Sequence, residues 1–571
     1  MVQPVTGFPG ITLETDVRCQ LRDGVELLAD VYRPDAAGGP YPVLLQRTPY
    51  GKQGAQSETA FAHPAWYAHQ GFIVVVQDVR GRYASGGEFY PFRDEGLDGY
   101  DAVEWAAGLP GSNGRVGMYG FSYAGFTQLL AAVEQPPSLA AISPALTGSQ
   151  AYEGWTHNTG AFAYGFNAFW AAYLGIAEAV RRGDQERIDA LGGALLHGPD
   201  NFWMAPETFP ALDRDITPYY FDWLEHPAYD DYWARWSIDS DYSRIQVPAL
   251  HVAGLYDVFV SGTKRNFVGL RNGASTAEVA ARQKFVMAPF HHMPWYPVTQ
   301  VENAEADSKV VDDCQVRFFS ETLKETGTGT FDSAVSSYVL GAGWRDFSAW
   351  PPHEARMERL FLHSQGRANS RFGDGTLDAR TPGDELPDLY IYDPNAPAMS
   401  AGGHSCCVEE LTPMGPACQC QRENAKGVLV YTTAPQEQDV DVVGDVTLTL
   451  YAASSATDTD WTARLCLVDE DGCSRNLQEG IVRAAFRDSL TTPRPITPGE
   501  VYEYVIELGP VSARVPAGAR LRIDVTSSDF PQWARNSNSG YPGDGVPRVA
   551  TQTVLHTAEY PSHLTLPMLP A

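Results

Sequence analysis

The sequence predicts an α/β fold in three parts: a sheet domain, a helical insertion within it and an all-β domain after it. The first 146 residues alternate apolar strand-like runs with helical stretches, which is typical of a parallel sheet covered on both faces. From 147 to about 245 the strand pattern stops, and aromatic residues crowd into segments of helical period. Beyond about 355 short alternating strands are separated by Gly, Pro, Asp and Asn turns, as in a β-sandwich or jelly roll.

The predicted strands of the sheet lie on both sides of the insertion, so the sheet is interrupted and then resumes. They are the apolar runs "YPVLLQRTPY" (41–50), "GFIVVVQDVRG" (71–81), "GRVGMYGFS" (114–122), "AAISPAL" (140–146), "VPALHVAGLYD" (247–257) and "RQKFVMAPFHH" (282–292). We expect the sheet domain to comprise 1–146 and 246–354, the helical cap 147–245 and the all-β domain 355–571. An interruption of this kind favours a cap over an active-site mouth.

The charge balance narrows the class of partner. A net charge of −29 argues against a nucleic-acid partner, because proteins that bind nucleic acids present basic surfaces.

No run of about 18 apolar residues predicts a membrane span, and the first residues lack a secretory signal pattern. Eight cysteines in 571 residues fit a reducing cytoplasm. We expect a cytoplasmic protein that acts on a small molecule, and we leave a homodimer open.

The stretch "RVGMYGFSYAG" (115–125) places Ser122 between a predicted strand and a predicted helix. A nucleophile elbow has this context and usually reads G-x-S-x-G, with small residues where strand and helix pass closely. Here Gly120 opens the motif, Ala124 takes the fifth position and Gly125 follows it. A tight turn with no chemical role is the alternative interpretation.

The partners that a serine nucleophile needs follow in the order Ser, acid, His. Asp257 ends the predicted strand 247–257, and His291 and His292 end the strand 282–292. Each could separately be an ordinary loop residue, but all three in this order favour a catalytic triad. The residues alone do not choose between the two histidines. This pattern predicts a serine hydrolase that forms an acyl-enzyme and requires no cofactor and no metal.

An acyl-transfer site also needs donors for the oxyanion of the tetrahedral intermediate. The backbone N–H of Tyr123, the residue after the serine, is one candidate. The phenol of Tyr50, in the loop "RTPYGK" after the first strand of the sheet core, is another. From the residues alone Tyr50 could equally be a packing residue.

Several motifs together resemble one known family. They are "RTPYGK", "QDVRGRYASGGEF", "VEWAAGLPGSNGRVGMYGFSYAGFTQ", "GLYDVF", "APFHH", "SSATDTDWTARLCLV" and "SSDFPQWARNSNSG". These resemble the bacterial cocaine-esterase and X-Pro dipeptidyl-peptidase family of serine hydrolases (CocE/NonD-like) nearly from end to end. The resemblance implies an α/β-hydrolase domain with an inserted helical cap, followed by a C-terminal jelly roll.

The resemblance also implies roles for individual residues. Ser122 corresponds to the nucleophile, Asp257 to the orienting acid and Tyr50 to the oxyanion donor. The family reads G-P-W-S-H where this chain reads A-P-F-H-H, which favours His292 over His291 as the base.

The acyl pocket that the resemblance implies is aromatic. Trp155, Trp170 and Phe259 correspond to its aromatic walls. Cys406 and Cys407 stand where the cocaine-esterase branch has two large apolar residues, so Cys407 is expected to contact substrate. Two cysteines are smaller than that pair, which argues against an aryl-acyl substrate of the same shape.

The cysteine-rich loop has a second interpretation. "HSCC…CQC" brings His404, Cys406, Cys407, Cys418 and Cys420 within 17 positions, enough ligands for a zinc site. The spacing is not the paired C-x-x-C of such sites, and the hydrolase mechanism needs no metal. We expect free thiols, with a disulfide or a structural zinc as alternatives.

Within the hydrolase class an ester or amide substrate is expected, with esters favoured. An X-Pro dipeptidyl peptidase, an α-amino-acid ester hydrolase or an acylase is the alternative, and these need carboxylates that hold a substrate ammonium. The cap offers Glu153, Asp230 and Asp231, but the sequence does not locate them. A remoter alternative is a binding protein that uses the jelly roll without catalysis.

Overall fold

Two large sheets organise the chain in the computed structural model, which describes residues 2–35, 38–54, 62–292, 309–324, 333–407 and 414–570. The first sheet has eleven strands in the order β1-β2-β3-β5-β4-β6-β7-β10-β11-β12-β13. Its strands are β1 Val2–Pro4, β2 Ile11–Gln20, β3 Glu26–Pro34, β4 Tyr41–Thr48, β5 Ile73–Asp78, β6 Ser112–Phe121, β7 Leu139–Ala145, β10 Leu250–Tyr256, β11 Lys284–His291, β12 Val335–Val339 and β13 Gly343–Phe347.

The centre of this sheet is parallel. From β5 through β4, β6, β7, β10 and β11 to β12, every neighbouring pair runs in the same direction, and antiparallel strands flank this block at both edges. All six predicted strands of the sheet are present, within three residues of their predicted ends. Their apolar runs are nearly continuous because both faces are covered, and every residue of β5 and β10 is buried.

Helices cover the sheet and form the segment inserted after β7. The described helices are Pro64–His69, Glu95–Ala107, Tyr123–Val133, Tyr164–Arg182, Gln185–Leu196, Gly198–Asn201, Pro218–Glu225, Asp231–Ala234, Val260–Gly273, Ala277–Ala281 and Lys309–Lys324. None of them is long and apolar enough to cross a membrane. The insertion also contains a two-stranded sheet of β8 His157–Asn158 and β9 Ala161–Phe162.

The aromatic residues of the insertion form its core and join it to the sheet domain. Trp155, Trp170, Trp223 and Trp233 are all buried, in one cluster with residues from the helix that follows β6. Burial of these large rings stabilises the packing of the insertion against the sheet domain.

The second large sheet lies in the C-terminal part of the chain. Apart from short 3-10 turns, the described secondary structure of this part consists of β-strands. The strands are β14 Arg356–His363, β15 Thr376–Asp378, β16 Asp388–Tyr392, β17 Leu429–Thr433, β18 Val440–Ser454, β19 Asp460–Val468, β20 Ser474–Arg483, β21 Tyr502–Val515, β22 Arg520–Thr526, β23 Ala550–Leu555 and β24 His563–Met568. They form a separate apolar core. The predicted order of α/β elements followed by an all-β part is confirmed; the exact domain boundaries at 147, 246 and 355 stay a prediction.

Candidate active site

Ser122 sits at a sharp turn between β6 and the helix Tyr123–Val133. Its backbone has φ 59° and ψ −126°, in the region that side-chain-bearing residues seldom adopt. The strand ends at Phe121 and the helix begins at Tyr123, so this one residue makes the whole change of direction. A serine held in this conformation projects its hydroxyl away from both elements, as a nucleophile elbow does.

The glycines around Ser122 are required by close packing. A Cβ atom on Gly120, whose φ is +138°, would lie 2.7 Å from the Cβ of Ala124. A Cβ atom on Gly125 would lie 2.8 Å from the carbonyl oxygen of Ala145 in β7. Both contacts are shorter than atoms tolerate, so the helix can approach the sheet this closely only because these two side chains are absent.

We expect Gly125→Ala to lower the free energy of unfolding by about 1–3 kcal/mol, because the helix must move away from β7. The helix follows the serine directly, so any reaction at Ser122 should slow as well. Gly192→Ala is the matched control: a Cβ atom there meets nothing within 4 Å, and alanine favours its helix by up to about 1 kcal/mol. Urea denaturation of both variants checks the contrast, and equal changes would contradict it.

Asp257, His292 and Ser122 are connected by two hydrogen bonds. The His292 Nε2 atom lies 3.0 Å from the Ser122 Oγ atom, and His292 Nδ1 lies 2.7 Å from Asp257 Oδ1. All three side chains are buried. When the His292 imidazole carries its proton on Nδ1, it donates that proton's hydrogen bond to Asp257. Its Nε2 atom is then free to accept a hydrogen bond from the serine hydroxyl.

The parallel topology explains why these three residues meet. Ser122 follows β6, Asp257 follows β10, and His292 follows β11, so all three stand at the carboxyl ends of parallel strands. Such ends lie along one edge of the sheet, where ligands of α/β proteins bind. His291 is still part of β11, opposite Tyr256, and His292 is the histidine that contacts both partners.

Tyr50 lies beside Ser122 with its phenol fixed by the cap. The Trp170 Nε1–H donates to the Tyr50 hydroxyl oxygen at 3.0 Å, and the phenol is within hydrogen-bonding reach of Ser122. Burial raises the pKa of the phenol above its usual value, so the hydroxyl keeps its proton. Since Trp170 occupies one acceptor position on the oxygen, the phenolic hydrogen remains available to a third group.

Two neighbouring side chains fix the backbone of the loop that carries Tyr50. The guanidinium of Arg82 donates to the Pro49 carbonyl at 2.8 Å and to the Leu174 carbonyl at 3.1 Å, and the hydroxyl of Tyr83 donates to the Tyr50 carbonyl at 2.7 Å. These bonds tie the loop to the cap helix Tyr164–Arg182 and hold its backbone at Pro49 and Tyr50.

The side chain of Tyr123 points away from Ser122 into a buried polar network. Its hydroxyl donates to Glu95 Oε1 at 2.9 Å and accepts from the Phe92 N–H at 3.0 Å. The other Glu95 oxygen lies 2.7 Å from Arg47 Nη1. The backbone N–H of Tyr123 is in the first turn of its helix, where no intrahelical carbonyl is available, so it can donate to a ligand at the serine.

We expect Arg47→Met to lower the free energy of unfolding by about 3–5 kcal/mol, because it leaves the Glu95 carboxylate buried without its cation. Arg18→Met is the control. Its guanidinium, 73% exposed, pairs with Glu26 at the surface, and its loss should cost less than about 1 kcal/mol. Urea denaturation of the two variants measures the difference, and a similar loss in both would refute a stabilising role for the network.

An aromatic cluster borders the imidazole of His292. The ring of Phe259 lies 5.1 Å from His292 and 4.3 Å from Trp155, measured between centroids. Trp170 lies 5.5 Å from Trp155, and Phe166 stacks on Trp170 at 5.9 Å. The three aromatic residues expected from the sequence therefore stand together, next to the histidine.

The expectation of free thiols is wrong for the first cysteine pair. Cys406 and Cys407 are joined in a disulfide between neighbouring residues, whereas Cys418 and Cys420 are free. The sulfur atoms of Cys406 and Cys407 lie within 4.8 Å of a ring nitrogen of His292, so Cys407 is placed beside the predicted site. The loop reaches this position because Ser405 pairs in parallel with Asp257 through a single β-bridge.

Three residues with a part in the site were missed. Arg47 and Glu95 anchor the side chain of Tyr123. Arg47 could have been noticed in the sequence, because a charged residue inside the apolar run "PVLLQRT" needs a buried partner of opposite charge. Phe166 completes the aromatic cluster, and its spacing of four from Trp170 on a helix could have indicated a shared face.

Comparisons with known proteins agree with this geometry. The family model of the X-Pro dipeptidyl-peptidase (S15 family) matches residues 23–294, and that of the X-Pro dipeptidyl-peptidase C-terminal non-catalytic domain matches residues 307–565. Cocaine esterase of Rhodococcus sp. (strain MB1 Bresler) is 32% identical over 589 residues, covering 98% of this chain and 99% of that protein.

Two solved structures are similar over the whole chain. An aminopeptidase from the marine sediment archaeon Thaumarchaeota archaeon superposes with a TM-score of 0.82 at 24% identity, covering 100% of this chain and 98% of that one. An α-amino acid ester hydrolase superposes with a TM-score of 0.80 at 22% identity, covering 99% and 98%. At these identities both show the fold alone. The resemblance seen in the sequence is thereby confirmed, and the chain belongs to the X-Pro dipeptidyl-peptidase (S15) family of serine hydrolases.

Proposed function

We propose that this serine hydrolase is a carboxylesterase that forms its acyl-enzyme on Ser122, with His292 as the base and Asp257 as the orienting acid. The observation that carries the proposal is the unbroken chain of hydrogen bonds from Asp257 through His292 to the Ser122 hydroxyl. A serine hydroxyl is a weak nucleophile by itself, and this chain is the arrangement that activates it.

The first half of the reaction acylates the serine. Ser122 Oγ attacks the ester carbonyl while His292 Nε2 removes its proton, and a tetrahedral intermediate forms. As that intermediate collapses, the bond to the alcohol oxygen breaks and His292 returns the proton to the leaving alcohol. Asp257 holds the tautomer with the proton on Nδ1 and stabilises the imidazolium that exists between these two transfers.

The second half repeats the chemistry with water in place of the serine. His292 takes a proton from water, the hydroxide attacks the acyl carbon, and Ser122 leaves with the returned proton. In both halves the oxyanion accepts hydrogen bonds from the Tyr50 hydroxyl and the Tyr123 backbone N–H. The Trp170 N–H on the Tyr50 oxygen supports this role, because it leaves the phenolic hydrogen free to donate.

The proposed substrate is an ester with an apolar acyl group. Trp155, Phe259 and Trp170 would bind that group, and the Cys406–Cys407 disulfide would border it on the jelly-roll side. None of these lining groups carries a carboxylate that could pair with a substrate ammonium, so we favour a neutral acyl group. A cytoplasmic location and the lack of a nucleic-acid partner stay predictions from the sequence, and a homodimer stays open.

A substrate with a free α-amino group has less support. Among the described residues, the acids considered for that role, Glu153, Asp230 and Asp231, have no hydrogen bond or ion pair to Ser122 or His292. Asp230 is bonded to His226 and caps the helix Asp231–Ala234, while the Glu153 carboxylate accepts the Thr159 N–H. We therefore favour esters over X-Pro peptides and α-amino-acid esters.

The direct test is labelling of the intact protein with a fluorophosphonate probe, followed by peptide mapping. A single adduct on Ser122 is expected, strongly reduced in His292→Ala and retained in the matched variant His291→Ala. An adduct elsewhere, or equal labelling of the two histidine variants, would reject this assignment of roles.

A pair of substrates tests the acyl preference. The p-nitrophenyl esters of 3-phenylpropanoate and of phenylalanine differ only by the α-amino group of the second. We expect the first to be cleaved with the higher kcat/KM. The opposite order would reject the preference for a neutral acyl group and would favour a substrate with a free α-amino group.

A further inference from the structure

Three free cysteines from two separate segments converge in the jelly-roll part of the chain. Cys418 and Cys420 belong to the loop before β17, and Cys473 lies in the turn that joins β19 to β20. Their sulfur atoms all lie within 4.8 Å of one another, and Cys418 is exposed to solvent. The mechanism proposed above uses none of them.

The distance between two of the sulfurs is that of ligands around one ion. The Cys418 and Cys473 sulfurs are 3.8 Å apart. Zinc–thiolate bonds are about 2.3 Å long, so two corners of a tetrahedral site are separated by about 3.8 Å. A disulfide would require the two sulfurs to be about 2.05 Å apart.

The backbone holds the two segments together without help from the sulfurs. The Gln419 N–H donates to the Ser474 carbonyl at 2.8 Å, and Cys418 forms an antiparallel bridge with Arg475. The Cys473 N–H donates to the Asp469 carboxylate at 2.8 Å, which fixes the turn. The three thiols are therefore preorganised, and an ion would not have to order the loop before it binds.

Charged side chains of both signs lie near the thiols. The carboxylates of Glu423 and Asp469 lie near Cys418 and Cys473, respectively, and add negative potential. Arg475, which pairs with Asp469 at 3.1 Å, offsets part of it.

We propose that Cys418, Cys420 and Cys473 bind one Zn²⁺ ion as three thiolates, with water in the fourth position. Zn²⁺ replaces the three thiol protons, which pass to the buffer, and no oxidant or reductant is required. The set differs from the one considered from the sequence: Cys406 and Cys407 are in their own disulfide, and Cys473 takes part instead. The ion would fasten the loop 414–421 to the β19–β20 hairpin.

Titration of the full chain with Co²⁺ tests the site without reference to catalysis. The protein is reduced, freed of metal with a chelator and desalted without oxygen. One equivalent of Co²⁺ should produce thiolate-to-metal charge-transfer absorption in the near ultraviolet, and Zn²⁺ should displace it. Zn²⁺ should also raise the melting temperature of the wild type.

Variants decide which cysteines are responsible. Cys473→Ser and Cys420→Ser should each lose the absorption and the rise in melting temperature. Cys314→Ser, which removes a half-buried thiol from the helix Lys309–Lys324, should keep both. The double variant Cys406→Ser/Cys407→Ser removes the thiols that could hold a metal beside His292. It should also keep the absorption and the rise in melting temperature, because these two cysteines are not ligands of the proposed site.

Two results would overturn the proposal. One is an unchanged titration in Cys473→Ser. The other is no binding by the reduced wild type, together with a Cys418–Cys473 disulfide in peptide maps of the untreated protein. Both readouts are independent of esterase activity, so a failure of the proposed metal site can be distinguished from a failure of the proposed esterase function.

Discussion

Ser122→Ala is expected to lower kcat/KM for a p-nitrophenyl ester by at least about 10⁴-fold while the protein stays folded. The substitution removes the only oxygen bonded to His292 Nε2 among the described side chains, and no acyl-enzyme can then form at this position. The fold should be unaffected, because the Ser122 side chain makes no capping hydrogen bond to its helix.

Ester hydrolysis and circular dichroism measure these two effects. Ser149→Ala is the matched control, since Ser149 is also a buried serine and its hydroxyl has no hydrogen-bond partner in the described structure. That variant should keep activity within a few-fold of the wild type. Turnover by Ser122→Ala at the level of this control would remove Ser122 from the mechanism.

Tyr50→Phe is expected to lower kcat by about 10²–10³-fold, the usual effect of losing one oxyanion donor. The ring remains to fill its place against Tyr173, and only the hydroxyl that faces Ser122 disappears. KM should change little, because the donor acts on the charge that develops in the transition state and not on the bound ester.

Trp170→Phe separates donation by Tyr50 from its orientation. This variant keeps an aromatic ring but removes the N–H that holds the Tyr50 oxygen, a bond worth about 1 kcal/mol and hence up to about tenfold in rate. Steady-state kinetics of both variants should therefore rank Tyr50→Phe well below Trp170→Phe in kcat. A Tyr50→Phe variant altered only in KM would make Tyr50 a substrate-packing residue.

Local patterns in the sequence were sufficient for the elements and for their order. Continuous apolar runs such as "GFIVVVQDVRG" become strands buried on both faces, because only a sheet covered on two sides hides every side chain of such a run. The candidate residues Ser122, Asp257 and His292 were identified because each ends a predicted strand, a position that can be read from the sequence without coordinates. The choice of His292 over His291 came from the family resemblance.

The sequence did not reveal contacts between residues far apart in the chain. The Arg47–Glu95–Tyr123 network joins a strand, a helix and the turn at the serine, and each residue alone looks ordinary. The cysteines are the clearest case: proximity in the chain suggested one cluster of Cys406, Cys407, Cys418 and Cys420. The structure divides it into a neighbouring disulfide beside His292 and a trio completed by Cys473.

By itself, then, the sequence determined the fold class, the family and the positions at which a nucleophile, an acid and a base could stand, because all of these depend on patterns within a few residues. Only the tertiary structure decided which side chains meet: the distance from Ser122 to His292, the Trp170 bond that orients Tyr50, and the pairing of the cysteines. Those contacts depend on how strands 35 to 170 residues apart are ordered in the sheet and how the cap and jelly roll pack against it, and no local pattern contains that information.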